Sequence, residues 1–342
     1  MRFEVSRVLD AIEKQLSTDP VVARAVVDLA EVLRYTDLDA GRPASLLRLG
    51  LVIDALARHL GEESVSVYVV ADRAVLSDSD LTSNERMAIR RWADDGLVEV
   101  LPAAGERVFE VAELTGLPVL TRQEPGRWLA PVPGGGGAVL TGTAAAVPPP
   151  SHPALARLWQ CPEADCALFG PGRTASQPPP RMRSGVPSCP RHEQRLTDRG
   201  PRPRSVPLVV RVDGVVRLRF AVSAERPVVI GREPVEDDGI RLGPWLEGEG
   251  ARRVSRSHVR VALTPAGVEV TDTSTNGTIL RTPAELIRVS RGETRILGQQ
   301  DVVVLYDGVE IARPGIWRRS GVAEPRSVMS DAPTIAMRLP RG

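Results

Sequence analysis

The sequence is poor in cysteine, in long apolar runs and in net charge, and each shortage excludes a class of protein. Its 342 residues include three cysteines, too few for a disulfide framework, so we expect a reducing, cytoplasmic setting. No stretch approaches 18 consecutive apolar residues, which predicts no membrane span, and the amphipathic start lacks the apolar core of a signal peptide. The net charge of +1 argues against bulk electrostatic binding of nucleic acid or membrane.

The length and composition suit a folded protein with two domains or slightly more. Hydrophobic residues make up 42% of the chain and charged residues 25%, proportions from which a buried core can form. Since the overall charge is nearly balanced, any anion site has to be local. The function is therefore to be sought in short clusters of residues.

Proline divides the chain into parts. Sixteen of the thirty prolines lie within residues 131–207, together with four consecutive glycines at 134–137. Such a segment is typical of a linker or of irregular structure, because it cannot build a continuous core. The predicted division is an α/β domain (1–130), a Pro/Gly-rich linker (131–155), a small Cys/His module (156–200), an all-β domain (205–316) and a polar tail expected to be disordered (317–342).

The first part alternates helical and extended patterns. Residues 19–35 and 43–60 carry apolar residues at helical spacing, and residues 64–72 match a buried strand. Thr82 and Glu85 have the spacing of a capping box, which predicts the start of another helix. Strand, helix and strand patterns follow, and this alternation predicts a parallel α/β sheet.

The part beyond residue 205 changes to short strands separated by turns. Asp213-Gly214 lies between two alternating apolar runs and predicts a two-residue hairpin. On the order of ten such strands follow one another with frequent turns, a pattern typical of an antiparallel β-sandwich.

Three loops of this part carry an unusual set of residues. The segment 252–261, RRVSRSHVRV, places cations and hydroxyls directly before a strand pattern, which suggests an anion site. Taken in order, Gly231-Arg232, Ser255-Arg256-x-His258 and Thr275-Asn276-Gly277-Thr278 resemble the signature of the forkhead-associated (FHA) domain. The resemblance covers residues 207–312 and implies a β-sandwich whose loops bind a phosphothreonine peptide.

The residue types suit such a ligand, since a phosphothreonine brings a charge of roughly −1.5 to −2 and three acceptor oxygens. Arg232 would offer a planar fork of donors, Ser255 a hydroxyl, and Arg256 a further charge. By resemblance, Thr275 and Asn276 approach the ligand, with the Asn amide holding the peptide main chain. Loops on a rigid sandwich can aim such groups while their own backbone stays solvated.

Other residues of the motif have structural interpretations. The resemblance implies that His258 braces the binding loop from behind, that Gly231 permits close packing, and that Gly277 shapes the last loop. Arg252 and Arg253 are typical of a solvated face. The family often carries another Asn-Gly turn after the last motif, where this chain has ILRTPAE at 279–285, a departure that bears on peptide selectivity.

The three cysteines and one histidine form a second cluster. Cys161 and Cys166 lie in CPEADC, and Cys189 and His192 lie in CPRH. Two ligand pairs joined by a loop can build one tetrahedral Cys₃His zinc site of structural type, and metal binding would supply folding free energy to a Pro-rich segment. A disulfide between Cys161 and Cys166 and free thiols are the alternatives.

The first part is also similar to PIN/NYN-type nuclease domains. In that family, carboxylates at strand ends gather Mg²⁺ for phosphodiester hydrolysis. The candidate acids are Asp37 or Asp39, Asp72 and Glu106, and Gln123 stands where the family usually shows an acid. This departure favours a degenerate scaffold over an active enzyme, and Asp72 is equally consistent with a residue that caps a loop.

Two functions follow from these observations. The favoured one is a signalling adaptor, not an enzyme, that binds a partner protein on which an upstream Ser/Thr kinase has placed a phosphothreonine. The alternative is a phospho-regulated RNA-processing nuclease. The sequence around Thr334 in the tail, SDAPTIAMR, resembles substrates of bacterial-type Ser/Thr kinases. Phosphorylated Thr334 is therefore a candidate intramolecular ligand of the same phosphate site. The alternative is a tail without a function.

Overall fold

The structure is a computed structural model. It describes residues 2–39, 41–60, 65–120, 128–131, 138–141, 152–171, 177–237, 239–314, 316 and 327–331. Within this part of the chain no helix combines the length and apolarity that crossing a membrane requires.

Four parallel strands form the sheet of the first part. They are β1 (Ala23–Asp28), β2 (Ser66–Asp72), β3 (Val98–Leu101) and β4 (Val119–Leu120). Their order across the sheet is β3–β2–β1–β4, so the two longest strands lie in the middle. All three pairings are parallel, and the carboxyl ends of the strands therefore share one edge. The predicted α/β class of this part is confirmed.

Helices cover both faces of this sheet. They are α1 (Arg2–Glu13), α2 (Leu29–Leu33), α3 (Leu47–Leu60), α4 (Ser83–Asp94) and α5 (Gly105–Thr115). Val27 and Val69 belong to the core cluster that α1, α3 and α4 complete, whereas Val26 and Val70 belong to the cluster that α5 completes. This split follows from the two-residue side-chain period of a strand. The predicted capping box at the start of α4 is present, formed by Thr82 and Glu85.

The prediction of a helix over residues 19–35 is wrong. Strand β1 occupies Ala23–Asp28, and only the short α2 follows it. The run of apolar residues fits a strand that is buried on both faces, as β1 is between β2 and β4, and helical periodicity cannot be distinguished from such a run. The turn from β1 to α2 is fixed by Asp28, whose carboxylate accepts from the Glu31 N–H.

The Pro-rich middle of the chain contains short antiparallel pairs. β5 (Trp128–Pro131) pairs with β6 (Ala138–Thr141), β7 (Arg157–Gln160) with β10 (Thr197–Pro201), and β8 (Arg181–Arg183) with β9 (Val186–Ser188). A short 3₁₀ turn, Pro153–Ala156, leads into β7. The residue boundaries assigned to linker and module stay a prediction.

A buried arginine joins this middle part to the α/β sheet. Arg107 of α5 is enclosed, and its guanidinium pairs with Glu99 over 2.7 Å and donates to the carbonyls of Pro179 and Pro180. The Tyr68 hydroxyl donates to the other side of Glu99. Charges removed from water in this way need partners on every side, which the carbonyls of the proline run provide here.

Eleven strands in the described residues from 205 to 312 form the last part. They are β11 (Ser205–Val212), β12 (Val215–Ser223), β13 (Val228–Gly231), β14 (Ile240–Arg241), β15 (Val259–Thr264), β16 (Gly267–Asp272), β17 (Thr278–Arg281), β18 (Leu286–Val289), β19 (Thr294–Leu297), β20 (Val302–Tyr306) and β21 (Val309–Ala312). A single helical turn, α6 (Gly250–Arg253), precedes β15. The hairpin predicted at Asp213-Gly214 joins β11 to β12.

Two sheets of these strands pack face to face. One has the order β12–β11–β21–β20–β17–β18, and the other has the order β14–β13–β15–β16–β19. Leu208 and Val210 of the first sheet share a core with Ile230, Val259 and Val261 of the second. The only parallel pairing among these strands, of those described, is between β13 and β14. The architecture is the β-sandwich that the sequence predicts.

The prediction that the whole tail beyond residue 316 is disordered is wrong for one short segment. Residues Val328–Asp331 form a 3₁₀ turn, and Val328 and Met329 pack against the core of the α/β part. The free energy gained by burying these apolar side chains outweighs the polar composition of the residues around them. Thr334 lies outside the described residues.

Candidate phosphate site and Cys/His cluster

Three loops of the sandwich converge and are joined by hydrogen bonds. The Arg232 N–H, directly after β13, donates to the Ser255 carbonyl over 2.9 Å. The Thr275 N–H donates to Ser255 Oγ over 3.1 Å, and the Asn276 amide donates to the Arg253 carbonyl over 2.8 Å. The structure thus brings together the three motifs that the sequence analysis singles out, with Ser255 at the centre.

Gly231 lies where the first two loops are in closest contact. A Cβ atom built on this glycine would stand 1.9 Å from the Arg256 carbonyl oxygen. No side chain fits into that distance, so the position requires glycine for β13 and the Ser255 loop to meet.

Arg232 is held in place from both ends. Its guanidinium donates to the Ala251 carbonyl in α6, and its own carbonyl accepts from the Gly243 N–H over 2.9 Å. A guanidinium has five donors in a fixed plane, so the bond to Ala251 orients the fork and leaves further donors for an anion. Arg256 is exposed beside it.

His258 is enclosed directly behind the Ser255 loop. Its Nδ1 accepts from the Ser255 N–H over 3.0 Å, and its backbone N–H donates to the Ile230 carbonyl. Burial lowers the pKa of His258, opposed by the charge of Asp272 nearby. The neutral ring with its proton on Nε2 is the form that this geometry needs, because a protonated Nδ1 could not accept.

The last loop is supported by buried polar residues. The Asp272 carboxylate accepts from the Ser274 N–H, and Ser274 Oγ accepts from the Gly277 N–H over 2.8 Å. Gly277 has a φ of +83°, in the left-handed region that favours glycine. Thr275 and Asn276 stand exposed between these fixed points. The loop therefore presents two polar side chains on a rigid base.

A cavity of about 330 Å³ opens beside Asn276. Its lining combines apolar side chains with arginines, among them Ile279, Leu286, Tyr306, Arg253 and Arg288. Ile279 is 40% and Leu286 68% exposed, so apolar surface faces water at this cavity. Ile279 lies in the ILRTPAE stretch, where the sequence departs from the FHA pattern, and Leu286 directly follows it. Neither residue was predicted to have a role from the sequence.

The four predicted metal ligands lie together in the middle part of the chain. The Sγ atoms of Cys161, Cys166 and Cys189 and a ring nitrogen of His192 all lie within 4.8 Å of one another. The three cysteines are buried and free, not joined in a disulfide. This cluster could hold a metal ion, and it is the only group of three or more His, Cys, Asp or Glu side chains with such spacing among the described residues.

The backbone around the cysteines is folded tightly. The Cys161 N–H donates to the Phe169 carbonyl over 3.0 Å, and Cys166 Sγ accepts from the Phe169 N–H over 3.4 Å. A Cβ on Gly170 would come within 2.6 Å of the Cys166 carbonyl oxygen, so the return of the chain there requires glycine. The hydrogen bond between Cys189 and Cys166 lowers the pKa of Cys166 to about 5 and raises the pKa of Cys189, so Cys166 is the thiol of this pair that loses its proton first.

The candidate acids of the α/β part do not form such a group. Asp37 lies in the 3₁₀ turn Thr36–Leu38, Asp39 pairs with Arg48 over 2.9 Å, and Glu106 lies in the first turn of α5. The Asp72 carboxylate accepts from the Ala104 N–H and so caps the loop before α5. Gln123 lies outside the described residues.

Asp28 is a further acid at this edge of the sheet, and the sequence pattern did not reveal it. Burial raises the pKa of Asp28, and the nearby charges of Glu31 and Asp72 raise it further. Asp28 and Asp72 end the two central strands at the same edge of the sheet. In the sequence, Asp28 directly follows an apolar run, as a strand-end acid does. It was not recognised because that run was predicted to be a helix.

No family model and no curated protein matches this sequence. Solved structures do match it. The FHA domain of MEK1 is 20% identical and matches 31% of this chain and 85% of its own length, with a TM-score of 0.24. The FHA domain of human APLF, solved with a bisphospho peptide of XRCC1, is 20% identical and matches 30% of this chain and 97% of its own, with a TM-score of 0.23.

A second structure of the MEK1 FHA domain, in complex with a phosphothreonine peptide of HOP1, is 19% identical and matches 32% of this chain and 98% of its own, with a TM-score of 0.23. Each match covers about a third of this chain. In this chain, β11 to β21 form a β-sandwich, and the loop motifs that resemble the FHA signature, Gly231-Arg232, Ser255-Arg256-x-His258 and Thr275–Thr278, lie on three of its loops that hydrogen bonds join.

Proposed function

We propose that the sandwich binds a phosphothreonine peptide and that the chain acts as a signalling adaptor. The observation that carries this proposal is the convergence of the three loops on Ser255, where the Thr275 N–H meets Ser255 Oγ at 3.1 Å. The N–H of Arg232 donates to the carbonyl of the same Ser255, and the side chains of Arg256 and Asn276 are exposed on the two joined loops. Such a group of donors suits an anion with several acceptor oxygens.

The role of each residue follows from its present bonds. Because Ser255 Oγ already accepts from Thr275, its own proton is available to a phosphate oxygen. Arg232 would add the donors that Ala251 leaves unused, and Arg256 would add charge from the solvent side. Asn276 would hold the peptide main chain by resemblance, and it is already positioned by its bond to the Arg253 carbonyl.

Two of the similar solved structures contain a phosphopeptide. The MEK1 FHA domain is bound to a phosphothreonine peptide of HOP1, and the APLF FHA domain is bound to a bisphospho peptide of XRCC1. For this chain we propose a phosphoprotein partner, modified by a Ser/Thr kinase, in the cytoplasm. The cavity lined by Ile279, Leu286 and Tyr306 would receive an apolar side chain of the same peptide, since it lies beside Asn276 and has an apolar lining.

The Cys/His cluster would hold a structural zinc ion. Around tetrahedral zinc, Zn–S bonds of about 2.3 Å and Zn–N bonds of about 2.0 Å separate two sulfurs by about 3.8 Å and a sulfur from a nitrogen by about 3.5 Å. Here Cys166 and Cys189 Sγ are 3.8 Å apart, and His192 Nδ1 lies 3.3 Å from Cys161 Sγ and 3.7 Å from Cys189 Sγ. The ligand set leaves no open position for a reactant, which supports a role in stability.

The phosphate-binding proposal is tested with the full chain. A peptide is first selected from a phosphothreonine library by its binding to the protein. Calorimetry then compares the phosphothreonine, phosphoserine and unmodified forms of this one sequence. We expect binding of the phosphothreonine form alone or by far the best. Equal affinity for the unmodified form would refute the proposed function.

A further inference from the structure

A short piece of the tail lies on the α/β part of the molecule. Residues Val328–Asp331, which follow the sandwich in the sequence, contact α1 and α3. Val328 and Met329 pack against the core cluster of the α/β part, more than 260 residues away along the chain. This contact belongs neither to the phosphate site nor to the Cys/His cluster.

Asp54 of α3 receives the start of this segment. One carboxylate oxygen accepts from the Val328 N–H over 2.7 Å, while the other accepts from the Ser327 hydroxyl and from the Met329 N–H over 3.4 Å. A single side chain thus satisfies two consecutive backbone donors and one hydroxyl. This is the way a carboxylate caps the first turn of a helix, here between two distant parts of the chain.

The Met329 side chain fills a site that a glycine keeps open. A Cβ built on Gly50 would stand 2.6 Å from Met329 Sδ and 3.3 Å from the Cδ1 atom of Ile12 in α1. Gly50 lies inside α3, where glycine is an unfavourable residue. The close approach of Met329 explains why a glycine occupies this position in the helix.

We propose that the groove between α1 and α3 is a peptide-docking site, and that its ligand is the segment Ser327–Asp331 of the same chain, bound as a detachable latch. Asp54 recognises a hydroxyl residue and the two backbone N–H groups after it, and Gly50 and Ile12 accommodate the methionine. A five-residue segment has no core of its own, so its order depends on the groove.

The latch has a mechanical consequence. Ten residues, 317–326, separate it from Ile316 at the end of the sandwich part, so Ile316 and Ser327 can lie at most about 40 Å apart. A closed latch therefore limits how far the end of the sandwich can move from α3. An open latch removes that limit and exposes the apolar groove to other peptides of the same type.

Hydrogen exchange on the full-length protein tests the closed state. The amides of Val328 and Met329 should be protected in the wild type and exchange about tenfold faster or more in Asp54→Ala, the loss expected for hydrogen bonds to a charged group. Alanine suits a helix, so α3 should persist in this variant. Asp94→Ala, which removes an exposed acid from α4, is the matched control and should leave protection unchanged. Equal exchange in all three proteins would overturn the latch.

A peptide added in trans tests the groove itself. Met329→Asp should spoil the chain's own latch and leave the groove intact, so a labelled synthetic peptide of residues 324–333 should bind this full-length variant. The double variant Gly50→Leu, Met329→Asp has a filled groove and should lose that binding. Equal binding to both variants, or binding to neither, would show that the α1–α3 groove is not a peptide site.

Discussion

The Thr275 N–H donates to Ser255 Oγ over 3.1 Å, and this bond joins two loops that lie 20 residues apart in the sequence. The same serine donates its own N–H to His258 Nδ1, and its carbonyl accepts from Arg232. One residue therefore sets the distance between every loop of the proposed phosphate site. A ligand at this point meets donors that are already in place and loses little free energy in ordering them.

Arg232→Ala should weaken binding of the selected phosphothreonine peptide by at least about 2–3 kcal/mol, the scale of a charge-assisted hydrogen bond. Calorimetry on the full chain measures this loss. Arg260→Ala removes an exposed arginine from β15 of the same sandwich and serves as the control, with an expected affinity near that of the wild type. Wild-type affinity in Arg232→Ala would show that the site is assigned wrongly.

The stability of the sandwich should decrease with falling pH because of His258. Burial lowers the pKa of this ring below its ordinary value of 6.5, so the unfolded chain binds a proton that the folded chain resists. The contribution to stability is present above about pH 6.5 and is lost as the pH falls from there towards the lowered pKa.

Chemical denaturation at a series of pH values measures this slope. His258→Asn should flatten it, whereas His59→Asn, which removes an exposed ring from α3, should leave it unchanged. A slope that persists in His258→Asn would assign the titration to other groups.

The purified protein should contain close to one zinc ion per chain. Cys189→Ser removes a buried ligand and should release the ion and destabilise the middle part, because metal binding there supplies folding free energy. Elemental analysis together with thermal unfolding measures both effects. Protein prepared without chelator that contains no zinc would contradict the proposed ion.

The full chain should show no Mg²⁺- or Mn²⁺-dependent cleavage of single-stranded RNA. Asp72 is engaged as a cap for Ala104, and the candidate acids of the α/β part do not gather as metal ligands in the described residues. Gel assays with both metals check this expectation. Cleavage that disappears in Asp72→Asn would restore the nuclease interpretation.

Phosphorylation of Thr334 should reduce the affinity of the full-length chain for an external phosphothreonine peptide. Once the segment Ser327–Asp331 has left the α1–α3 groove, a phosphate on the tail would compete from within the same molecule, at an effective concentration on the order of millimolar. Calorimetry before and after kinase treatment, with Thr334→Ala as the control, measures the effect. Equal affinity in all three samples would leave the tail without this role.

Local sequence patterns were enough to predict the α/β class of the first part, the sandwich of the last, and the three motifs of the proposed phosphate site. These features depend on local rules: the period of apolar residues, the Asp213-Gly214 turn and the capping box of Thr82 and Glu85 all act within a few residues. The four residues of the Cys/His cluster were equally visible, because rare residue types at ligand spacing carry their own signal.

Features that depend on burial by distant neighbours could be recognised in the folded chain and not in the sequence. Residues 19–35 have helical spacing, yet the region that contains Ala23–Asp28 forms a central strand, since a strand buried on both faces and an apolar helix can share one pattern. The tail segment around Met329 is polar in context and ordered only because Gly50 and Asp54, far away in sequence, form its site. A local sequence pattern does not show which distant residues become neighbours when the chain folds.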